Sequence, residues 1–441
     1  MNKTNIQFVS DCYMCSNCGA CFTVCPKSAI NFETTLLGRM YAKVNDDLCV
    51  NCGKCIKACP SIDANKLSKK YSDKYVGIIN NIYVGKSLNK DIFENAQSGG
   101  VCTQLLSYLF DKKKIDCAVV VKMKPGKTPV VSPVVVTSKD ELTGSQKSCY
   151  TPVALLTVLK ETRKYNSVAV VGLPCHIAGI VNLQTICNEY SNINYKIGLI
   201  CDRTLCSGVH DVYASHLQSV LKTPAISFKI DWKCKRIGKD FNYKLAPTVL
   251  KTDNDILEVP RDIRIILKEM FTSPRCRVCY DKLNTHADIT LGDPWHMTEV
   301  DWVKGSSLII SRTEKGSSLL EEVKNAGYIE YSPRNLSELS KSQKVDARRM
   351  QARLFSRAFQ NLFNSEGIGI LQISEKDGAI DKGKLKLSEN DLKTFINRDK
   401  TYSKERIVIE AKKSIKKYRT NRRREIFFDN MKGLVRKLLN K

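Results

Sequence analysis

Residues 15–26 read CSNCGACFTVCP and residues 49–60 read CVNCGKCIKACP, so the spacing C-x2-C-x2-C-x3-C-P occurs twice. Two-residue spacers let a tight turn direct three thiolates to one point. The proline after the fourth cysteine cannot continue a regular hydrogen-bonded ladder. Gly19 and Gly53 fall in the crowded turns, where a residue without a Cβ is favoured. The repeat therefore predicts two cysteine-rich turns of the same construction, each supplying soft sulfur ligands.

This doubled spacing is the signature of bacterial ferredoxins with two [4Fe–4S] clusters, in which the fourth cysteine of each run binds the other cluster. The predicted ligands of cluster one are Cys15, Cys18, Cys21 and Cys59, and those of cluster two are Cys49, Cys52, Cys55 and Cys25. Cys12 offers another register, but the Cys-Pro ending at Cys25 decides against it. A pair of zinc sites is the less favoured alternative, because zinc sites usually have two separated ligand pairs. Residues 28–44, between the runs, read as two short strands around a turn.

Length and composition limit the types of protein that this chain can be. The chain has 441 residues, 42% of them apolar, which is enough to bury a core in two to four domains. No apolar run approaches the ~20 residues that span a bilayer, and the N-terminus lacks a signal-peptide segment, so we expect a cytosolic protein. In such a compartment the 19 cysteines favour metal ligation over disulfides.

The net charge of +26 indicates attraction to a polyanion: nucleic acid, acidic lipid, an acidic protein or a phosphate-rich cofactor. Nucleic-acid binding is disfavoured, because the chain has no identifiable helicase or glycosylase motif. VGKS at 84–87 resembles the end of a P-loop, but Asn80 stands where that motif requires its first glycine.

The middle of the chain alternates predicted strands and helices. Ser98 is a predicted N-cap, and Gly99 and Gly100 follow it before an amphipathic helix and a Val-rich strand. A glycine-rich turn that opens a helix suits a phosphate, although a plainly capped helix is the commoner explanation. SVAVVG at 167–172 and NYKIGLIC at 194–201 read as buried strands, with a helix predicted at 153–164 before them. This order predicts an α/β layer with a parallel sheet.

RCRVC at 275–279 supplies half of a metal site. Ligands of parallel sheets gather at the carboxyl ends of strands, and Cys175 and Cys201 each follow a predicted strand. With Cys276 and Cys279 they make four thiolates for a third [4Fe–4S] cluster, with zinc as the alternative. The remaining cysteines compete for this role or are bystanders: Cys12, Cys102, Cys117, Cys149, Cys187, Cys206 and Cys234.

Several of these stretches together resemble the beta-subunit family of coenzyme F-420 (deazaflavin) hydrogenases and dehydrogenases, preceded by a dicluster ferredoxin domain. The matching stretches are SGGV at 98–101, GSQKSCY at 144–150, VAVVGLPCHIAGI at 168–180, IGLIC at 197–201, RCRVC at 275–279, and ADITLGDPW with SLIISRTEKG within 287–316. They cover about residues 75–320, and the ferredoxin match covers residues 10–62.

The resemblance implies that Cys175, Cys201, Cys276 and Cys279 hold a [4Fe–4S] cluster and that the same domain binds FAD. The flavin and phosphate contacts it implies are Ser98, Gly99, Gly100, Ser145, Lys147 and Tyr150, with Lys147 pairing with a phosphate and Tyr150 packing near the ring. The family's turn near Lys147 is interrupted here as GSQKSCY. His176 stands where the family more often has Gln. It is a weak catalytic candidate as a proton donor, and a hydrogen-bonded neighbour of the cluster is the favoured role.

The predicted fold class is a multidomain α+β and α/β protein. Its parts are a dicluster ferredoxin domain (1–65), the N-terminal part of the beta-subunit-like flavin domain (75–155), a C-terminal part with the third cluster (156–330), and a helical basic tail (335–441). Residues 401–441 carry 14 Lys and Arg against 4 Asp and Glu. A solvated helix is favoured there over docking on a partner or on the inner face of a membrane.

The predicted function is an iron–sulfur flavoprotein oxidoreductase. It would pass electrons between an external ferredoxin or a partner redox subunit, the clusters, FAD and a small-molecule acceptor, either deazaflavin or a metabolite of a polysaccharide pathway. A non-catalytic electron-transfer subunit of a larger redox complex is the alternative. Nucleic acid is not an expected partner.

Overall fold

The computed structural model describes residues 4–62, 72–223, 226–234, 248–301, 304–363 and 379–439, with side chains through residue 423. The helices are α1 (Gln7–Asp11), α2 (Ala20–Val24), α3 (Lys54–Ala58), α4 (Lys90–Asn95), α5 (Val101–Asp111), α6 (Pro174–Ile186), α7 (Val209–Leu221), α8 (Arg261–Phe271), α9 (Pro274–Val278), α10 (Glu314–Asn325), α11 (Leu336–Gln343), α12 (Val345–Phe363), α13 (Lys382–Thr401) and α14 (Lys404–Leu439). Short 3-10 helices cover Asp140–Ser145, Leu155–Lys164 and Asn188–Tyr190.

The strands are β1 (Ile30–Thr34), β2 (Met40–Val44), β3 (Asn81–Ser87), β4 (Cys117–Lys124), β5 (Val130–Val136), β6 (Val168–Gly172), β7 (Ile193–Leu199), β8 (Lys229–Asp231), β9 (Thr248–Lys251), β10 (Ile256–Val259), β11 (Ile289–Gly292), β12 (Ser307–Ser311) and β13 (Ile329–Arg334). They form a two-stranded, a three-stranded and an eight-stranded sheet within the described residues.

The N-terminal module has the two strands that the sequence predicts. β1 and β2 pair antiparallel, with Ile30 opposite Val44. The two cysteine runs form α2 and α3, and each helix begins after a glycine in the left-handed region, Gly19 at φ +96° and Gly53 at φ +69°. Only glycine enters this region without strain, so the two runs fold in the same way.

The large sheet has the strand order β13-β3-β12-β11-β7-β6-β4-β5. The four central strands, β11, β7, β6 and β4, are parallel neighbours. The flanking pairs, including β4 with β5 and β3 with β12, are antiparallel. The predicted parallel sheet is therefore correct for the centre alone, because short connections such as residues 125–129 can join only antiparallel strands.

The predicted helix over residues 153–164 is wrong in type, because the segment forms a 3-10 helix, Leu155–Lys164. The start of this segment is hydrogen-bonded to the N-terminal module. The Leu156 amide donates to the Cys18 carbonyl at 2.9 Å, and the Thr23 hydroxyl donates to the Leu156 carbonyl at 2.5 Å. These backbone groups therefore bond outside their own segment at the position where an α-helical ladder would begin.

The prediction of Ser98 as an N-cap is also wrong. The N-cap of α5 is Gly100, at φ +78°, and its turn has no side-chain cap. The hydroxyl of Ser98 instead lies 3.3 Å from that of Ser307 on the neighbouring β12. Gly99, between Ser98 and Gly100, packs directly against β3. A Cβ at Gly99 would lie 2.5 Å from the Gly85 carbonyl oxygen.

The C-terminal helices pack into the core of the protein. The apolar core of the N-terminal module continues without interruption through α7 and α8 into α12, α13 and α14. Asp399 of α13 forms an ion pair with Arg39 of the β1–β2 turn at 2.6 Å, and its side chain is 1% exposed. The C-terminal helices therefore hold the N-terminal module in place.

The prediction of a solvated helical tail is wrong for the first part of α14. Ile407, Ala411 and Ile415 are buried, and Arg419 pairs with Asp262 of α8. Other parts of the predicted tail, residues 364–378 and 440–441, lie outside the described residues. Across the helices that the structure describes, none has the length and apolar character needed to cross a membrane.

Candidate iron–sulfur and flavin site

The thiols predicted for cluster one lie near one another in the N-terminal module. Cys18 and Cys21 flank the start of α2, and Cys59 caps the C-terminus of α3. Burial raises the pKa of Cys18 to about 11 and the pKa of Cys21 well above its ordinary value, with Cys15, Cys18 and Cys59 adding like-charge repulsion. Thiolates so placed need a cationic partner, which bound iron supplies.

The thiols predicted for cluster two line a single surface cavity. Its walls include Cys25, Cys49, Cys52 and Cys55. Of these, Cys52 is exposed. The amide of Ala29 donates to the Cys25 sulfur at 3.3 Å. Cys25 thus lies with the second run and Cys59 with the first, which is the exchange that the doubled spacing predicts.

The third cysteine set comes from three chain segments. Cys175 is the second residue of α6, directly after β6, and Cys201 follows β7 by two residues. Cys276 lies in α9 and Cys279 caps it. Burial raises the pKa of Cys175 and of Cys201 well above the ordinary thiol value, and the other thiols of the set raise both further. Because β6 and β7 are parallel neighbours, the sheet itself brings the first two thiols together.

The two candidate groups differ in how their ligands are arranged: four ligands share one zinc ion, whereas each thiolate of a four-iron cluster binds a different iron. In the part of the chain that the structure describes, no three Cys, His, Asp or Glu side chains are placed to hold a single metal ion.

Most of the competing cysteines belong to apolar cores. Cys12 and Cys117 are buried among aliphatic side chains. Cys206 is also fully buried, and burial raises its pKa, with a smaller contribution from Cys276. Cys206 is therefore the competitor nearest to the third set.

The first and third thiol sets are neighbours. After burial, Cys18 is the strongest influence raising the pKa of Cys175. A Cβ added at Gly179 of α6 would lie 3.6 Å from the Cys18 sulfur and 3.3 Å from the Ala20 Cβ. The absence of a side chain at Gly179 therefore lets α6, which carries Cys175, pack directly against the cluster-one turn.

Two buried arginines surround the third set. Arg275 is 7% exposed and donates to the Ser61 hydroxyl at 3.0 Å. Arg348 of α12 donates to the Cys276 carbonyl at 3.4 Å and to the Asp202 carboxylate at 2.8 Å. The sequence places Arg275 next to the cysteine pair in the RCRVC stretch, whereas no motif in the sequence connects Arg348 with the cysteines. Both bring positive charge to sulfurs that become negative when they bind metal.

His176 is placed for a structural role. Its Nδ1 accepts a hydrogen bond from the Leu173 amide at 3.1 Å, so Nε2 carries the proton and donates to the Val153 carbonyl at 3.1 Å. Burial lowers the pKa of His176 to about 4. Both ring nitrogens are occupied and the ring is neutral near pH 7, which favours the hydrogen-bonded neighbour over the proton donor.

The implied flavin-contact residues lie in adjoining loops at the start of α5. The Ser148 amide donates to Gln97 Oε1 at 2.7 Å, which joins the 144–150 loop to the glycine turn. Ser145 donates its hydroxyl to the Leu142 carbonyl at 2.7 Å. Gly99 donates its amide to the Ser307 hydroxyl at 3.1 Å. The structure thus brings these segments together, while several of their polar groups bond within the protein.

Lys147 and Tyr150 meet residues that the sequence did not single out. Lys147, at φ +78°, forms an ion pair with Asp231 at 2.8 Å. The ring of Tyr150 lies 5.2 Å from the Trp232 ring, and its hydroxyl faces Lys233. Among the described atoms, Trp232 Nε1 and Asp231 Oδ1 are buried without a hydrogen-bond partner. Such orphaned polar atoms beside an aromatic pair and a lysine fit a polar aromatic ligand.

Comparison with known proteins matches most of the chain. Residues 165–336 match the C-terminal family of the coenzyme F420 hydrogenase/dehydrogenase beta subunit, and residues 82–160 match the corresponding N-terminal family. Residues 14–62 and 41–98 match 4Fe-4S dicluster domains.

Two relatives and one solved structure illustrate the similarity. A coenzyme F420-dependent sulfite reductase of Methanocaldococcus jannaschii is 29% identical over 83% of this chain, which spans about half of that protein, 54%. An F(420)H(2) dehydrogenase subunit of Methanosarcina mazei is 28% identical over 74% of this chain and 87% of that protein. A chain of the F420-reducing [NiFe] hydrogenase complex from Methanosarcina barkeri has a TM-score of 0.53 at 19% identity, covering 68% of this chain and 99% of that one, which shows a shared fold.

Proposed function

Because the chain belongs to the coenzyme F420 hydrogenase/dehydrogenase beta-subunit family and carries a dicluster domain, we propose that it relays electrons through three [4Fe–4S] clusters to FAD. The external partner is a ferredoxin or a redox subunit, and the acceptor is a deazaflavin. The deazaflavin assignment rests on the names of the relatives, which act with coenzyme F420.

The observation that carries the proposal is the order of the thiol sets. Cys52 of the second set is exposed, where an external donor reaches it. Cys55 of that set raises the pKa of Cys21 in the first set, after larger effects of burial and nearer thiols. Cys18 of the first set raises the pKa of Cys175 in the third, and its sulfur lies beside Gly179 on the helix that carries Cys175. The sets therefore follow one another from the surface to the carboxyl end of the central sheet.

When bound, the clusters supply one-electron transfer and FAD links single electrons to a two-electron acceptor. The residues of this chain bury Cys18, Cys21 and Cys59 of the first set and partly bury the four thiols of the third. Arg275 and Arg348 supply positive charge beside the third set. Lys147 and the Tyr150–Trp232 pair supply a cation and an aromatic face where the flavin is proposed to bind.

A second candidate function is an electron-transfer subunit without its own flavin. The ion pair between Lys147 and Asp231 favours it, because this lysine already has a carboxylate partner. A third cluster with no flavin would identify this function, and a bound flavin would identify the first.

The deciding measurement is the iron, sulfide and flavin content of the protein purified without air. We expect about twelve irons and one FAD per chain, from three four-iron clusters. Protein loaded with zinc, or with only eight irons, contradicts the three-cluster relay.

Cys175→Ser tests the third set directly. The variant should retain about eight irons, because the two clusters of the dicluster module do not use Cys175. Cys187→Ser is the matched control, since Cys187 caps the other end of α6. It should keep about twelve irons, and an equal loss in both variants would show that helix damage, not ligand loss, is responsible.

A further inference from the structure

Arg275 occupies a buried position between two thiol sets. It is the second residue of α9, next to Cys276, and it is 7% exposed. Its Nε donates to the Ser61 hydroxyl at 3.0 Å. The Ser61 amide in turn donates to the Cys59 sulfur at 3.4 Å. A chain of hydrogen bonds therefore joins the segment that carries two ligands of the third set to the fourth ligand of cluster one.

The surroundings of this guanidinium lead to sulfurs: its neighbour in α9 is Cys276, and its hydrogen-bond partner Ser61 donates its amide to the Cys59 sulfur. Within the described residues, Arg275 forms no ion pair with a carboxylate. A buried cation without a counter-charge is strongly destabilising, so the thiolates of both sets are the partners that this position requires.

We propose that Arg275 is a positioning residue shared by cluster one and the third cluster, and that its charge raises the reduction potential of both. The inference rests on the proposed function, because it needs the third cluster to exist. Reduction adds an electron to a group that its thiolates already make negative, so a nearby fixed cation favours the reduced form. One arginine near both clusters shifts the two potentials in the same direction.

The test is a redox titration of the full-length, iron-loaded protein, with each cluster followed by its paramagnetic signal. In Arg275→Gln, the potentials of cluster one and of the third cluster should both shift to more negative values. The potential of cluster two should not move, because Cys25, Cys49, Cys52 and Cys55 lie in the separate surface cavity.

Arg277→Gln is the matched control. Arg277 lies on the same short helix, but it pairs with Glu269 at 2.8 Å and packs over the Phe355 ring. Arg277→Gln removes the same charge from α9, but from a guanidinium whose partners are Glu269 and Phe355 and not Ser61. Potentials that shift equally in the two variants, or in neither, overturn the proposal.

Iron content separates this inference from the relay itself. A wild-type chain with eight irons refutes the third cluster, whereas twelve irons with unchanged potentials in Arg275→Gln refute only the role of Arg275. Should Arg275→Gln lose iron, Arg275→Lys decides. A lysine keeps the charge, so Arg275→Lys should keep twelve irons and potentials of cluster one and the third cluster near those of the wild type. Loss of iron in that variant too, or potentials well below the wild-type values, overturns the proposal.

Discussion

Gly19 and Gly53 are equivalent in sequence but differ in their surroundings. Both are in the left-handed region before a short helix. A Cβ at Gly19 would lie 2.9 Å from the Thr157 amide nitrogen and 3.0 Å from that of Leu156, whereas nothing lies within 4 Å of a Cβ at Gly53. The repeat explains why both are glycines, and only packing explains why one of them has no room.

This difference predicts the outcome of Gly19→Ala. Both Gly→Ala changes should lower the free energy of unfolding by about 1–2 kcal/mol, because alanine is strained in the left-handed region. Gly19→Ala also clashes with the backbone of residues 154–157, so it should lower that free energy by at least ~2 kcal/mol more. Denaturant unfolding measures the cost, and faster hydrogen exchange at the Leu156 amide locates it. Equal destabilisation by Gly19→Ala and Gly53→Ala would contradict this packing.

His176 and His210 predict how stability depends on pH. Burial lowers the pKa of both to about 4. An unfolded histidine titrates near 6.5, so the unfolded chain takes up protons first and stability falls as pH drops from 6.5 toward 4. At pH 5.5 each of these histidines should lower the free energy of unfolding by roughly 1 kcal/mol.

Urea unfolding at pH 7.5 and 5.5 measures this loss. His176→Gln should lose about 1 kcal/mol less than the wild type between the two pH values. His296→Gln is the control, because His296 is exposed. A wild-type midpoint that does not change with pH would show that these imidazoles are not buried in the neutral form.

At the scale of elements, α13 holds the dicluster module. Asp399 accepts from Arg39 at 2.6 Å and from the Thr35 hydroxyl at 2.5 Å, and Arg39 lies over the Tyr13 ring at 4.2 Å. Asp399→Ala leaves the arginine buried without a partner, which should cost about 3–5 kcal/mol.

Asp346→Ala is the matched control for that change. The carboxylate of Asp346 is 99% exposed in its pair with Arg349, and its loss should cost less than about 1 kcal/mol. Chemical unfolding compares the two, and limited proteolysis reports release of the module. Similar unfolding midpoints for both variants would mean that α13 does not anchor the β1–β2 turn.

For the whole molecule, the first part of α14 belongs to the apolar core. Deleting residues 404–441 removes Ile407, Ala411 and Ile415 and uncovers the faces of α7 and α8 that they cover. Burial of each large apolar side chain contributes about 1.5–3 kcal/mol, so this chain should melt at lower temperature and lose iron. Deletion of 424–441 should leave the melting temperature and iron content unchanged. Melting at the wild-type temperature after the longer deletion would disprove the packing of α14.

The shorter deletion also tests contact with anionic lipid. It removes five Lys and Arg and two Asp and Glu without removing a described core side chain. If this end of the chain docks on a membrane surface, co-sedimentation with anionic vesicles should fall in the deleted chain and in high salt. Equal co-sedimentation of the two chains would exclude docking through residues 424–441.

The amino-acid sequence determined the local chemistry. The spacing within each run predicts its turn and its glycine, because both depend on residues within one short segment, and the doubled signature predicts the exchange of the fourth cysteines. The alternation of apolar stretches predicts that β6 and β7 place Cys175 and Cys201 at one edge, because parallel neighbours end on the same side. These features were readable without the fold.

Tertiary structure alone decided how the segments meet. Cys18 lies beside Gly179 of α6, Arg275 reaches Ser61, and Asp399 pairs with Arg39 across 360 residues of chain. It also turned the predicted 153–164 helix into a 3-10 helix and buried the start of α14. The physical reason is that such contacts depend on which surfaces pack together in space, and residue spacing along the chain carries no direct record of that.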